Sequence, residues 1–571
     1  MKNKFALLLS IITINATAQT NYYVDKAMGN DANNGTNIAT PWKTIQKAAN
    51  VATPNSIVNI KAGTYYENVV VNVSGTSGNP IVFKNYATDT VSIDGTGTAG
   101  NVLLQVTNKS YLKFENLTIK NKTANNAQGI LVETTGSTSA TDLTFNNIII
   151  NNINWTANAS TIPTASNNAQ AFIAYGRNGG ITNLMVTNCE VYNNILGFSE
   201  ALSLDGNING FEIKNCIVHN NTNIGIAIIG NYGTCTIVAK DQSRNGIVRN
   251  NQCYNNVSLY ATSGGIYIDG AKAIVVEQNS CHDNGNGIEL GAEENGICDS
   301  ITVKNNVVYN NQYTGIYVGG YTTATTGQVT HSVIRNNTLL QNDYANNGVG
   351  EINVSKASNC VFENNIFYTN TQNVLMTVEN IAPQFNNIFN YNCWYTPNNN
   401  SNAITVNWKS TTYSSYAAYK LGTAQESNSI YNNPKLTNTT LSNPNFQLLL
   451  GSSCVDVGNV NTVITIGETD YDGFTRIINT IIDMGALEYG ATTVGAKDIN
   501  HLDKLVANYY TNKLSVNANS IVVLHNIIGQ QLFSKNVVAN ETIDLSNLTQ
   551  GIYIANVLSG TSRTIKKIVV E

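Results

Sequence analysis

The sequence predicts an all-β chain whose larger part is a solenoid of the parallel β-helix type. Pro is rare, at 8 of 571 residues, and Asn, Thr, Val and Ile dominate, which favours strands and asparagine-rich turns. Short strands alternate apolar and polar positions, as strands with one buried face do. Asn-containing motifs recur with a unit of about 27 residues. Three short strands within such a unit describe one turn of a parallel β-helix.

Each repeat places an Asn two or three positions after an apolar residue. The register of this Asn is uncertain by one position wherever two Asn adjoin. The repeated residues are Asn116, Asn147, Asn188, Asn215, Asn251, Asn279, Asn306, Asn337 and Asn365. Stacked Asn at one corner would pass amide hydrogen bonds from turn to turn. The wider spacings predict loops inserted at a corner, for example residues 164–180 and 230–245, and insertions in a solenoid tend to gather on its binding face.

Composition narrows the possible partners. Charged residues make up 12% of the chain, the formal net charge is −5, and no basic stripe occurs, so we expect no nucleic-acid partner. No apolar run beyond the N-terminus is long enough to span a bilayer, so we expect no transmembrane segment. We also expect a monomer and no organic cofactor.

The nine cysteines are an odd number, and no C-x-x-C pair occurs. A disulfide framework is one option for an exported chain. Several of the cysteines lie within two residues of a repeated Asn, which favours stacked, buried and reduced thiols. The absence of C-x-x-C gives a zinc or thioredoxin-like site no support.

The N-terminus has the pattern of a secretory signal peptide. Lys2 and Lys4 precede a mostly apolar stretch from Phe5 to Ile12, and Ala16 and Ala18 form an A-x-A cleavage site. Residues 1–18 are therefore predicted to be removed before the mature protein folds. The alternative is a buried N-terminal strand.

Several segments resemble right-handed parallel β-helix proteins of the pectate lyase superfamily. Residues 22–50, 57–71 and 78–86 are similar to the N-terminal region of those proteins, and residues 470–490 are similar to the closing segment of secreted bacterial members. The resemblance implies a right-handed β-helix over residues 19–490. Its parts are an N-terminal cap with the first turns at 19–100, Asn-ladder turns at 101–400, and a closing segment at 401–490. The superfamily includes lyases, hydrolases, epimerases and adhesins, so the fold alone does not give the activity.

Residues 491–571 are predicted to form a separate C-terminal domain. The segments Asp544–Leu548, Gly551–Tyr553 and Lys566–Lys567 resemble a type IX secretion sorting domain. The resemblance implies a small β-sandwich that the type IX secretion machinery recognises. It also implies export through the outer membrane, followed by release or attachment at the cell surface. The alternative is a generic small β-sandwich module.

Aligning the strand that begins each central repeat yields two outward-facing columns, because alternate residues of a strand point to opposite faces. One column is Ser203, Ala227, Tyr267, Glu289, Tyr317 and Asn353. The other is Asp205, Ile229, Asp269, Gly291, Gly319 and Ser355. Gly291 and Gly319 would leave space for a ligand or another backbone beside the acids.

The acids of these columns are the candidate catalytic residues. From the spacing of strands, Asp205 and Asp269 lie about 9.6 Å apart and Asp269 and Glu289 roughly 8 Å apart at the backbone. Tyr267 and Tyr317 flank Glu289 and are candidate substrate-binding residues, since aromatic faces beside carboxylates suit a sugar groove. The alternative is that these acids only keep an exposed sheet soluble.

One chemistry that fits is β-elimination on a uronic-acid polysaccharide, which the resemblance to polysaccharide lyases favours. Such enzymes commonly neutralise the substrate carboxylate with Ca²⁺ on oxygen ligands, and Asp269 and Glu289 are the candidate ligands. The reaction also needs a strong base, for which Lys240 and Arg244 are candidates on the inserted loop.

Three further residues are candidates for binding the acidic substrate. Arg177 would hold a substrate carboxylate. Lys356, beside Ser355, is a candidate base or substrate-binding residue. Glu293, in the turn after Glu289, is a candidate contact, with a solvated turn as the alternative. Each basic residue taken alone is more often a surface charge.

Two other functions remain open. The first is glycoside hydrolysis, in which an inverting pair of carboxyls lies ~6.5 to 9.5 Å apart with water between them. The Asp269–Glu289 separation falls in this window and the Asp205–Asp269 separation at its edge. The second is a non-catalytic glycan-binding adhesin, which predicts a groove with aromatic residues but without convergent acids.

Overall fold

The structure is a computed structural model, and it describes residues 19–320, 326–478 and 480–490 together with most of 507–570. The chain divides into two compact units. The first comprises the described residues up to Tyr471 and Thr475–Gly490. The second comprises Asp472–Phe474 and the described C-terminal residues. The predicted signal peptide lies outside the described residues.

The first unit is a parallel β-helix with three strands in each turn, which we call faces A, B and C. A representative turn contains Gly264–Asp269 on face A, Lys272–Glu277 on face B and Ser280–His282 on face C. Each strand pairs in parallel with its equivalent in the next turn, as Tyr267 does with Glu289. The predicted fold class is therefore confirmed for this unit.

The strands of each face share one position in the repeat. Face A contains Val69–Val71, Val102–Thr107, Ala127–Glu133, the first halves of Ala169–Thr187 and Leu202–Lys214, Ile226–Ile229, Gly264–Asp269, Asn286–Gly291, Ile316–Val318, Ile352–Val354, Val374–Val378 and Thr405–Trp408. Face B contains Thr20–Val24, Ser56–Ile60, Ile81–Asn85, Leu112–Glu115, Ala140–Asn146, the second halves of the two long strands, Arg244–Arg249, Lys272–Glu277, Thr302–Lys304, Val333–Arg335, Val361–Glu363 and Ile388–Asn390, with corner strands at Ile297–Asp299, Gln328–Thr330 and Ala357–Ser358. Face C contains Gly63–Tyr65, Val91–Asp94, Thr118–Thr123, Ile149–Asn154, Glu190–Tyr192, Ile217–His219, Gln252–Tyr254, Ser280–His282, Val307–Tyr309, Thr338–Leu340, Ile366–Tyr368, Cys393–Tyr395 and Ile430–Tyr431.

Short helices and antiparallel strands flank the solenoid. The helix Ile45–Val51 begins where the Thr44 hydroxyl accepts a hydrogen bond from the Lys47 N–H, a normal N-cap. Near the other end, Thr405–Trp408 pairs antiparallel with Thr411–Tyr413 and is followed by the helix Tyr416–Thr423. The remaining elements are the 3₁₀ turn Val238–Lys240 and an antiparallel pair, Leu436–Asn438 with Asn445–Leu448.

The second unit contains two small antiparallel sheets. One is formed by Ala507–Tyr510, Lys513–Val516 and Thr542–Asp544. The other is formed by Ser520–Asn526, Gln531–Val537, Gly551–Ser559 and Ser562–Val570. Leu524, Val557 and Ile568 are fully buried in its core. This unit is the small all-β C-terminal domain that the sequence predicts.

The inward positions of the β-helix stack in rows along its axis. Phe83, Phe114 and Phe145 form one such row, with ring centroids 5.3 and 5.2 Å apart. All nine cysteines, each of which lies in the described ranges, are buried and unpaired, so the prediction of buried reduced thiols is confirmed. Because each row repeats once per turn, the core grows with the number of turns.

The repeated asparagines belong to two adjacent columns, which corrects the single column aligned from sequence. Asn116, Asn147, Asn188 and Asn215 lie in an outer column with φ between 54° and 59°. The buried ladder occupies the next position along the chain. In the earlier turns this position is filled by Leu117, Ile148, Cys189 and Cys216, and from residue 251 onward it is filled by Asn. Its members are Asn251, Asn279, Asn306, Asn337, Asn365 and Asn392. Asn tolerates left-handed backbone, which is why it fills the outer column as well.

A second buried ladder runs parallel to the first at another corner. It contains Asn194, Asn221, Asn256, Asn284, Asn311 and Asn342. In both ladders each side-chain N–H₂ donates to the amide oxygen of the next turn, so the last amide would lack an acceptor. A buried glutamate supplies it: Glu351 accepts from Asn342 at 2.6 Å, and Glu426 accepts from Asn392 at 3.2 Å.

These terminal glutamates make the stability of the first unit pH-dependent. Burial raises the pKa of Glu351 to about 8 and that of Glu426 to about 7. A carboxyl whose pKa is raised in the folded state stabilises fully below its unfolded pKa, and this contribution is lost as pH rises through the folded value. We therefore expect the free energy of unfolding to fall between about pH 4.5 and 8, by ~1.4 kcal/mol per unit of pKa difference.

The measurement is denaturant unfolding at pH 5, 6.5 and 8. Glu351→Gln should reduce the pH dependence without abolishing it, because the variant side chain has no proton to lose while Glu426 remains. Glu294→Gln, at an exposed position, is the matched control and should leave the slope unchanged. A full slope in Glu351→Gln would contradict the assignment.

The closing segment runs back over the outer asparagine column. Asn364 donates to the Thr462 hydroxyl, Asn336 to the carbonyl of Asp483, and Asn305 to the carbonyl of Thr469, at 2.8 to 3.0 Å. Glu468 pairs with Lys304 at 2.7 Å and Arg335 at 2.8 Å. The segment therefore covers outer asparagines that would otherwise face solvent.

The two predicted insertions have different structures. Within residues 164–180, the segment from Ala169 onward belongs to the 19-residue strand Ala169–Thr187, so that part of the loop prediction is wrong. Residues 230–243 do form an inserted loop, which ends at the strand Arg244–Arg249. The wide spacing of the repeated Asn therefore predicted the second loop correctly.

Candidate functional site

A cleft of about 640 Å³ lies on face A, over the outward side chains of five consecutive turns. Its floor comes from the strands that begin at Ala169, Leu202, Ile226, Gly264 and Asn286. The lining residues are Gln170, Ile173, Tyr175, Phe198, Ser199, Glu200, Asp205, Asn223, Ile224, Ala227, Ile229, Tyr232, Tyr260, Ala261, Thr262, Tyr267, Asp269, Glu289 and Glu293.

The strand register places the predicted acids on this floor. Leu204 pairs with Ile228 and Asp205 with Ile229, and Ile228 in turn pairs with Ile268, so Asp205 and Asp269 lie two rungs apart in one column. Glu289 pairs with Tyr267 in the neighbouring column. At ~4.8 Å per rung, the backbones of Asp205 and Asp269 are about 9.6 Å apart.

Loops at both ends of the face A strands turn the floor into a cleft. Beyond the strand ends, residues 230–243 contribute Tyr232, and the following turn contributes Glu293. Ahead of the strand starts, the opposite wall contains Phe198, Asn223 and Tyr260. These walls bury the floor, so Asp205 is 7% and Asp269 is 3% exposed. An exposed sheet whose acids serve only solubility does not agree with this burial.

One carboxylate oxygen of Asp205 accepts a hydrogen bond, and the other has no partner among the described residues. Its Oδ2 accepts a hydrogen bond from the Thr234 hydroxyl at 2.6 Å. Its Oδ1 is buried and has no hydrogen-bond partner among the described residues. Burial, with the charge of Asp241 adding to it, raises the pKa of Asp205 to about 6. A buried unpaired acceptor costs stability, and this oxygen is free to accept a hydrogen bond from water or a ligand.

Asp269 is hydrogen-bonded to two residues of the wall, Tyr232 and Glu293. Its Oδ2 accepts from the Tyr232 hydroxyl at 2.6 Å, and its Oδ1 accepts from the backbone N–H of Glu293 at 2.9 Å. The Tyr267 hydroxyl donates to Glu293 at 3.2 Å. Burial and then the charge of Glu293 raise the pKa of Asp269 to about 7. A carboxyl with this pKa can hold or release a proton near neutral pH.

Two more carboxyls complete the acidic lining. Glu289 accepts a hydrogen bond from the Asn286 side chain at 3.0 Å, and burial raises the pKa of Glu289 to about 8, with Glu293 adding to it. Burial and then the charge of Asp205 raise the pKa of Glu200 to about 8. Carboxyls crowded in one cleft disfavour each other's ionisation.

The predicted basic residues do not line the cleft. Arg244 donates to the side chain of Asn207 at 2.9 Å and to backbone carbonyls, including that of Lys240, whose side chain is exposed. Lys356 is buried at 4% exposure, away from the lining residues. Among the described residues, no Lys, Arg or His lines this cleft.

Of the predicted basic residues, Arg177 comes nearest to its predicted role of binding the substrate. It pairs with Glu133 at 3.6 Å and covers the ring of Tyr175, a lining residue, at 5.4 Å. Its charge also acts on Asp205, where it opposes the rise in pKa. The guanidinium is therefore near one end of the cleft without lining it.

Tyr317 and the two predicted glycine gaps have other roles. The Tyr317 hydroxyl is 2.9 Å from the Ser355 hydroxyl, and Tyr317 is not a lining residue. A Cβ at Gly291 would lie 2.5 Å from the Tyr267 hydroxyl, so the ring of Tyr267 fills that space. Ser355 fills the space beside Gly319. The predicted openings for a ligand are therefore occupied by the protein's own side chains.

The donors present do not form a ready-made calcium site. Within the described ranges, no group of three or more His, Cys, Asp or Glu side chains is arranged to hold a metal ion. Both oxygens of Asp269 already accept hydrogen bonds from protein donors. Ca²⁺ ligation by Asp269 and Glu289 stays a prediction.

Several lining residues were missed from sequence. Glu200, Phe198, Asn223, Tyr232 and Tyr260 all lie on the loops that form the walls. Alignment of the repeats began at the first apolar residue of each strand and so excluded the segment just before it. Glu200 could have been found from the sequence, because it lies two residues before the strand Leu202–Lys214.

Comparisons with known proteins agree with the fold. The family described as "right handed beta helix region" matches residues 235–339, and the "secretion system C-terminal sorting domain" matches residues 507–571. The uncharacterised protein YwoF of Bacillus subtilis (strain 168) is 32% identical over 419 residues, which are 71% of this chain and 86% of that protein. The chain belongs to the YwoF family. This YwoF-family chain therefore combines a right-handed β-helix with a sorting domain, as both sequence resemblances predict.

The sorting domain shows that this YwoF-family protein is exported by type IX secretion, to the cell surface or beyond it. In the part of the chain that the structure describes, no helix has the length and apolar character needed to cross a membrane.

Solved structures with a similar architecture include three carbohydrate-related proteins. Pectate lyase Pel9A is 14% identical, with 83% of this chain and 98% of that chain covered and a TM-score of 0.44. The A-module of mannuronan C-5 epimerase AlgE6 from Azotobacter vinelandii is 13% identical, with 66% and 91% covered and a TM-score of 0.44. A GH136 lacto-N-biosidase from Eubacterium ramulus is 15% identical, with 66% and 64% covered and a TM-score of 0.41. These likenesses assign no activity to the YwoF-family chain.

Proposed function

We propose that this protein is an exported carbohydrate-active enzyme, and specifically a glycoside hydrolase that uses carboxyl groups of the face A cleft. The observation that supports the proposal most is the pair Asp205 and Asp269, buried two rungs apart in one column of the floor. Their separation of about 9.6 Å at the backbone is close to the ~6.5 to 9.5 Å window of inverting enzymes.

The two carboxyls suit different roles. Asp269, with its pKa near 7, would be the general acid that protonates the glycosidic oxygen. Asp205, with its pKa near 6, is the more readily ionised of the pair and would be the general base that activates water. Its unpaired Oδ1 is an acceptor that such a water would satisfy. Glu289, diagonally adjacent to Asp269, is the alternative acid.

β-Elimination is the second candidate, and Arg177 is the observation that favours it. The guanidinium lies beside Tyr175 at the cleft and acts on Asp205. Against it, the lining offers no Lys, Arg or His as a base among the described residues. The cleft also disfavours the ionised form of its own carboxyls, and it would disfavour a uronate for the same reason. Hydrolysis therefore agrees better with the charges of the cleft.

The deciding assay offers the purified protein a panel of neutral and acidic polysaccharides, with and without a Ca²⁺ chelator. We expect new reducing ends without the ultraviolet absorbance of an unsaturated uronide. A chelator-sensitive rise in that absorbance would instead establish β-elimination. Binding with no turnover on any substrate would favour the non-catalytic adhesin.

The same assay has an expected pH dependence. Hydrolysis requires Asp205 ionised and Asp269 protonated. Activity should therefore fall as pH drops below about 6 and fall again as it rises above about 7. The measurement is kcat/KM from pH 4 to 9. A rate that only increases up to pH 9 would contradict Asp269 as the acid and would suit an elimination base.

A further inference from the structure

One wall of the cleft presents a fixed aromatic surface. Phe198 is 41% exposed, and its ring meets Tyr260 edge-to-face, with centroids 5.2 Å apart. The Tyr260 hydroxyl donates to the backbone carbonyls of Gly197 and Thr222. Tyr260 thus holds Phe198 in place, and part of the Phe198 side chain remains exposed.

A buried acceptor without a donor lies on the same wall. Asn223 is 3% exposed, and its side-chain N–H₂ donates to the carbonyl of Ser199 at 3.0 Å. Its Oδ1 has no hydrogen-bond partner among the described residues. Because buried polar atoms are usually paired, this oxygen is free to accept a hydrogen bond from a ligand or water that enters the cleft.

The acidic lining of the cleft limits the charge that a bound ligand can carry. Glu200, Asp205, Asp269, Glu289 and Glu293 line it, and no basic side chain among the described residues offsets them there. An anionic sugar would add a negative charge to a site where burial and neighbouring acids already keep these carboxyls from ionising freely. A hydroxyl-bearing, uncharged ring would not.

We infer that Phe198, Asn223 and Tyr260 form a subsite for an uncharged pyranose ring. The apolar face of the ring stacks on Phe198, and a ring hydroxyl or amide N–H donates to Asn223 Oδ1. This inference rests on the proposed function and names its substrate class, namely a neutral glycan whose sugar beside the cleaved bond is held on this wall.

The test measures binding without turnover, in the full chain carrying Asp269→Asn. The probes are neutral gluco-, xylo-, manno- and galacto-oligosaccharides and, for comparison, oligouronates of equal length. We expect at least one neutral series to bind and the oligouronates to bind at least about tenfold more weakly. Adding Phe198→Ala should weaken neutral binding about tenfold, the equivalent of ~1.4 kcal/mol of stacking. Asn223→Leu should also weaken it, because it removes the acceptor while nearly keeping the shape.

The matched control is Phe385→Ala, which removes a 52% exposed Phe outside the cleft and should leave binding unchanged. Unchanged affinity in Phe198→Ala, tighter binding of oligouronates, or no binding of any neutral series would each overturn the subsite. Hydrolysis by the wild-type chain would still support the proposed function in those cases. Conversely, Phe198-dependent binding without hydrolysis would support the subsite and refute the hydrolase.

Discussion

Asp269→Asn is expected to lower kcat/KM for glycan hydrolysis about 10³-fold. The amide keeps the size of the side chain, and its oxygen can still accept from the Glu293 N–H. Its N–H₂ would face the Tyr232 hydroxyl, which can accept if its proton turns toward Glu293, but the amide cannot deliver a proton to the leaving oxygen. The unfolding midpoint should not fall, because the change removes an ionisable group that burial keeps from ionising freely.

The measurement is the rate of reducing-end formation on the best substrate, with a melting curve for each variant. Glu294→Gln, an exposed acid in the next turn, is the control and should keep full activity. Glu289→Gln separates the two possible acids. If Asp269→Asn retains more than a tenth of the activity while Glu289→Gln loses it, the roles must be reassigned.

The stereochemistry of the product tests the same pair independently. Carboxyls two rungs apart are farther apart than the pair of a retaining enzyme, so the released sugar should have inverted anomeric configuration. Proton NMR of the first product distinguishes inversion from retention. Retention would contradict the Asp205–Asp269 pair, since that mechanism requires carboxyls only ~5 to 5.5 Å apart.

Asn251→Ala is expected to lower the free energy of unfolding by about 3 kcal/mol or more. The side chain of Asn251 donates to the carbonyl of Ile213 and to Asn279 Oδ1, both at 3.0 Å, and it accepts from the backbone N–H of Cys216 at 2.9 Å. Its removal takes this partner from the Ile213 carbonyl and the Cys216 N–H in a site that is 1% exposed, while Asn279 Oδ1 keeps the backbone N–H of residue 251. Each buried unsatisfied group costs ~1 to 3 kcal/mol.

The adjacent Asn250 offers the matched control. Its φ of 54° suits glycine, and it belongs to the outer column, so Asn250→Gly should change the free energy of unfolding by less than about 1 kcal/mol. Denaturant unfolding of both variants decides between them. An equal loss in the two would contradict the assignment of Asn251 rather than Asn250 to the buried ladder.

The choice between Asn250 and Asn251 is one that the sequence alone does not decide. Two adjacent Asn satisfy the repeat equally well on paper, because one position needs left-handed backbone and the other needs a buried amide, and Asn serves both. Cys216 occupies the position of Asn251 in the preceding turn. The buried row is therefore identified by burial and not by residue type.

The sequence by itself determined the solenoid, the sorting domain and the register that aligns Asp205, Asp269 and Glu289 on one face. The solenoid and the register follow from periodicity, because a repeated inward position specifies which side chains face outward. The sorting domain follows from the resemblance of its C-terminal motifs to a known family. Only the tertiary structure decided that the face is a cleft and that Arg244 and Lys356 lie outside it. Its walls depend on contacts such as that of Tyr232 with Asp269, which are 37 positions apart in the chain. The inserted loops have no period, so their side chains are placed only by packing against distant turns.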